Sequence, residues 1–167
     1  MSTLAVNTLQ AQTGTTVSIP TGNKIVGTDA TSIVAPGMVI QTVTNTSTTT
    51  VNSSSTSASD LITASITPQF TNSIIHIEGY VSRMQVSVSS NAYASLYIAD
   101  PSGSFISTAV MGSAISNSSP MTVFGTHSPS STSSQTYKLR LSCASGGTSS
   151  TGTDGQRYTI KLMEIAQ

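Results

Sequence analysis

The sequence predicts an all-β protein whose C-terminal part is an antiparallel β-sandwich of jelly-roll type. Three observations carry that expectation. Apolar residues alternate with polar ones in short runs throughout residues 60–167. Turn sequences rich in Gly, Pro, Asp and Ser separate those runs, and no stretch spaces its apolar residues at the three-to-four interval of an amphipathic helix. Seven or eight strand patterns in a segment of this length suit two packed sheets.

The strand patterns follow in order. "DLITASIT" puts Ile62, Ala64 and Ile66 on one face, and "IIHIEGYV" puts Ile75, Ile77 and Val81 opposite His76, Glu78 and Tyr80. "AYASLYIA" and "SFISTAVM" flank the turn sequence "DPSG" at residues 100–103, as in a hairpin. "MTVFGT" follows Pro120. "TYKLRLSC" turns Tyr137, Leu139, Leu141 and Cys143 inward and Lys138 and Arg140 outward. "RYTIKLMEI" sets Tyr158, Ile160 and Leu162 on one face, with Met163 and Ile165 on the other. A strand apolar on both faces is expected at a sheet centre or a subunit interface. If the last two patterns pair as a hairpin through "TGTDGQ", they gather Lys138, Arg140, Arg157 and Lys161, with Glu78 and Glu164 as the carboxylates to balance them; a solvated face without partners is the alternative.

Residues 1–43 have a different texture. Apolar pairs recur about every seven residues, at Val17/Ile19, Ile25/Val26 and Ile33/Val34, with Val39/Ile40 following. Pro20, Pro36 and the intervening glycines exclude a helix. So few apolar residues build no core alone, so they are expected to close against copies of themselves about a threefold axis, or to drape over another protein. Val17, Ile19, Ile25, Ile33, Val39, Met163 and Ile165 are the expected oligomer interface. Residues 44–59, "TNTSTTTVNSSSTSAS", read as a Ser/Thr-rich linker or loop. Residues 60–167 then form the knob.

Composition limits function. About a third of the chain is Ser or Thr, only 7% is charged, and six basic residues balance six acidic ones. No basic field attracts nucleic acid or an anionic membrane. The start "MSTLAVNTLQ" lacks the charged and apolar regions of a signal peptide, and no apolar run is long enough to span a bilayer. The lone Cys143 forbids an intrachain disulfide and fits assembly in a reducing cytoplasm. His76 and His127 stand outside any metal-ligand spacing. Asp100 and Asp154 lie in turn sequences, and no G-x-S-x-G elbow occurs. No catalytic, metal or cofactor site is therefore expected. Tyr80, Tyr93, Tyr97, Tyr137 and Tyr158 suit core closure, or recognition of a host glycan or protein where they reach the surface.

The arm, carried by "TLAVNTLQ", "VSIPTGNKI" and "IVAPGMVIQ", resembles the N-terminal segment of small tail-fibre or structural virion proteins of marine tailed phages, especially those of cyanobacteria. "ITPQFTNSIIHI" and "TYKLRL…YTIKLMEI" are similar to strands of their C-terminal domains. The resemblance implies a β-rich, trimeric virion component that contacts other virion proteins, on the tail or as capsid decoration. A carbohydrate-binding module is the competing expectation.

Overall fold

The computed structural model describes residues 19, 21–27, 33–87, 93–112, 117–144 and 146–167. The chain divides into two units, Met1–Ile33 and Val34–Gln167. In the first, the described residues form no strand. They include a turn in which Gly22 takes a φ of 88°.

Among its described residues the second unit has ten strands: β1 (Val39–Ser47), β2 (Val51–Ser53), β3 (Ser59–Ile66), β4 (Ile74–Ser87), β5 (Tyr93–Ala99), β6 (Phe105–Gly112), β7 (Asn117–His127), β8 (Gln135–Ala144), β9 (Thr148–Thr151) and β10 (Tyr158–Ile165). Four antiparallel pairs are nested about one turn. β5 pairs β6 across residues 100–104, β4 pairs β7 outside them, β3 pairs β8, and β1 pairs β10 outermost. Through these pairs the second unit is one long double ribbon with its tip at Asp100. There the Asp100 carboxylate accepts hydrogen bonds from Ser104 N–H and the Ser102 hydroxyl, and Gly103 takes a φ of 92° that suits only glycine without strain.

The ribbon then rolls up. β10 also pairs β4, giving sheet A in the order β1-β10-β4-β7, and β8 also pairs β5, giving sheet B in the order β3-β8-β5-β6. Setting aside the short β2 and β9, which extend sheet A beside the end of β4, this is the eight-strand jelly roll expected from the sequence. The inward residues meet between the sheets. Ile66, Ile75, Ile77, Met84, Leu96, Ile98, Leu139, Leu141, Ile160 and Leu162 are fully buried. Each contributes about 1.5–3 kcal/mol by leaving water. Glycine sets the close approach at two points. A Cβ on Gly79 would collide with Leu139 of the facing sheet, and one on Gly125 would meet Ile106 Cγ2 at 2.6 Å, where the edges β6 and β7 converge.

Two expectations are corrected. The segment 44–59 is not a separate linker: residues up to Ser47 complete β1, and Val51–Ser53 pair with β9. Ser and Thr tolerate the pleated backbone, and β10 and β9 supply the hydrogen bonds that composition alone does not reveal. The last two long strands do not form a hairpin. β8 lies in sheet B and β10 in sheet A, so Lys138 and Arg140 are on a different sheet from Lys161.

Candidate assembly surface

The solvent face of sheet A follows from the register. Four rows cross it. Val39, Ile165 and Ile74 form the first, and Thr42, Met163, His76 and Thr126 the second. Thr44, Lys161, Glu78 and Phe124 form the third, and Thr46, Thr159, Tyr80 and Thr122 the fourth. The Thr46 and Thr159 hydroxyls lie 3.1 Å apart. Phe124 is 66% exposed, Val39 52% and Tyr80 40%. Ile74, Met163 and Ile165 are half-buried. Aliphatic and aromatic groups thus stand on a sheet face where water-facing residues are normally polar.

Of the interface residues expected from sequence, Val39, Met163 and Ile165 come together here. Ile19, Ile25 and Ile33 belong to the first unit, where each is exposed. Val17 lies outside the described residues. Ile74, Tyr80 and Phe124 were not among the expected set. Alternation along "IIHIEGYV" already places Ile74 and Tyr80 with His76, but the phase of Phe124 emerges only from its pairing with Glu78.

One end of this face is tied down by a buried carboxylate. Glu164 sits at an inward position of β10 and is fully buried. Its Oε1 accepts hydrogen bonds from the Ser73 hydroxyl (2.6 Å) and the N–H groups of Gln69 (2.8 Å) and Phe70 (3.2 Å). Its Oε2 accepts one from Gln41 Nε2 at 2.6 Å. Glu164 therefore clamps the β3–β4 connection to β1 and β10; it does not balance surface cations as expected. Beyond it, Gly37 N–H donates to Ala166 O and Ala166 N–H to Met38 O, continuing the β1–β10 ladder to where the chain enters the sandwich.

The outer face of sheet B carries a second charged cluster. Asp60 pairs with Lys138 Nζ at 2.8 Å and Arg140 Nε at 2.7 Å. The Lys138 hydrogen bond, aided by both positive charges, holds the Asp60 carboxyl below its ordinary value although partial burial works the other way. Phe105 stacks on Tyr97 with ring centroids 4.5 Å apart, and the Arg140 guanidinium lies over Phe105. Arg140 also donates from Nη2 to Ala58 O. The exposed ion pairs contribute little stability individually, ~0–1 kcal/mol each.

Tyr137 and Tyr158 are buried core residues, whereas Tyr80 and Tyr93 are exposed on strands. His127 ends β7 with Nδ1 2.9 Å from the Tyr137 hydroxyl. Burial, with Asp100 adding to it, pushes that hydroxyl far above its ordinary pKa. Among the described residues no three His, Cys, Asp or Glu side chains gather into a metal site. Cys143 is 1% exposed and faces the core. Cys143→Ser is expected to lower stability by about 1 kcal/mol through the buried hydroxyl while assembly proceeds. Loss of assembly at an unchanged melting temperature would reveal a working thiol.

No family model matches the chain, and no curated protein matches it. Among solved structures it is similar to the VP2 protein of infectious bursal disease virus in derived T=1 particles, at 14% identity and a TM-score of 0.38, over 86% of this chain and 41% of that one. A structure of the Gx strain of the same virus has 13% identity and a TM-score of 0.38 over 86% and 42% of the two chains. The VP2 subviral particle gives 14% and 0.34, over 87% and 42%. This chain thus spans less than half the length of those it matches.

Proposed function

We propose that this chain is a non-enzymatic structural protein of a virion, a homotrimer in which residues 1–33 anchor to neighbouring virion proteins and the jelly roll projects as a knob. The observation that carries the reading is the apolar solvent face of sheet A, where Val39, Ile74, Met163, Ile165, Phe124 and Tyr80 are at least partly exposed. Exposed apolar groups gathered on one face mark an interaction surface. The exposed Ile19, Ile25, Val26 and Ile33 of the first unit add a second set of unburied apolar groups. The resemblance of the arm to phage virion proteins supports the same reading, with tail fibre and capsid decoration both open. A fold alone assigns no function, since jelly rolls serve capsids, lectins and enzymes alike.

Light scattering of the purified chain at micromolar concentration is expected to return a mass of three chains, and labelled protein is expected on virions. A monomer across that range would sink the trimer. A glycan-binding module is the second reading, favoured by the exposed Tyr93 and Phe105 on the outer face of sheet B, where sugar rings could stack. Saturable glycan binding, abolished by Tyr93→Ala, would support it.

A further inference from the structure

We infer that the outer face of sheet A docks against another copy of the same chain, with Glu78 of one copy meeting Lys161 of the next. This deepens the proposed self-assembly and rests on it.

The argument begins with two charges. Lys161 on β10 and Glu78 on β4 are cross-strand neighbours in the third row of the face. Both are half-buried within the single chain. The ion pairs among the described residues are Arg83–Asp154, Lys138–Asp60 and Arg140–Asp60, so neither Glu78 nor Lys161 closes one. Around them stand Thr, Met163, His76, Tyr80 and Phe124.

Charge decides between occupants. A nucleic acid or an anionic bilayer presents one sign, and on this face it meets a carboxylate and an ammonium whose fields cancel. A surface bearing the same two charges complements both, and a second copy provides it. The order along the row, Thr44–Lys161–Glu78–Phe124, puts the cation on the β1 side and the anion on the β7 side. Copies packed head to tail around an axis set the β7 side of one against the β1 side of the next. Each Glu78 then approaches the Lys161 of its neighbour, and each Phe124 gains cover. A contact of this directional kind repeats until the ring closes. Removing Glu78 and Lys161 from water together makes their pairing a determinant of register and partner.

The test mixes two full-length variants, Glu78→Cys and Lys161→Cys, under mild oxidation. Cys143 is buried and does not compete. A disulfide-linked species joining the two variants, several-fold above either variant alone, is the expected result. In parallel, Glu78→Lys is expected to weaken association about tenfold at low salt, and adding Lys161→Glu in the same chain to restore it, with circular dichroism unchanged throughout. If the wild-type chain trimerises but no mixed disulfide forms and Glu78→Lys associates normally, the face is not the interface, while the trimer reading stands. A wild-type chain that stays monomeric overturns both.

Discussion

Glu164→Ala is expected to cost about 3–5 kcal/mol in urea denaturation, with the denaturant slope unchanged. Four donors converge on this buried carboxylate: Gln41 Nε2, the N–H groups of Gln69 and Phe70, and the Ser73 hydroxyl. Removing the acceptor strands them near the bottom of the sandwich, where each unsatisfied group costs about 1–3 kcal/mol. Water entering the vacated space recovers part of that sum, which is why the total stays below four full penalties. Against a typical domain stability of about 5–15 kcal/mol, the loss is a large fraction. The β3–β4 connection should also gain amide exchange at Gln69 and Phe70, because their hydrogen bonds end on this one side chain. A change below about 1 kcal/mol would show that the clamp is dispensable and that backbone pairing alone holds β1, β4 and β10.

The second large effect separates two truncations of the N-terminal segment. Deleting residues 1–33 is expected to leave the sandwich folded, with its melting temperature within a few degrees of the full chain, and to abolish incorporation into particles. Deleting residues 1–43 is expected to leave no cooperative unfolding transition. The longer cut removes the first half of β1, and with it the pairings of Val39, Gln41, Thr42 and Val43 to β10. It also removes the Gln41 amide that bonds both Glu164 and Thr67 O, and the packing of Val43 on the core. The edge of β10 would lie bare from Leu162 to Ile165, an invitation to aggregation. A shorter cut that unfolds the protein would place residues 1–33 inside the folding unit. Full incorporation without those residues would move the anchor elsewhere.

The sequence by itself determined which residues point inward along the cleanly alternating strands β3, β8 and β10 and the first half of β4. A period of two is a local property, so Tyr137, Leu139, Leu141 and Cys143, and Tyr158, Ile160 and Leu162, are legible without partners. The tip of the ribbon was legible for the same reason, since "DPSG" carries its own turn chemistry. What the tertiary structure decided is pairing. β1 meets β10, and β3 meets β8, across most of the chain, and no local pattern encodes which distant strand closes a ladder. That is why the Ser/Thr-rich stretch after Val43 read as a linker although it completes a strand, and why β8 and β10 were expected side by side.

The assembly face divides along the same line. Val39, Met163 and Ile165 were expected as interface from their own strands, and alternation sets Ile74 and Tyr80 in phase with His76. That Phe124 and Glu78 share a row with Lys161 depends on the β4–β7 and β4–β10 registers. Glu164 shows the limit most clearly. Its parity with Leu162 marks it as inward, yet a lone carboxylate has no place in an apolar core, and its charge argued for the surface. Only the folded chain brings Gln41, Gln69, Phe70 and Ser73 around it, and those donors replace the water that the carboxylate gives up.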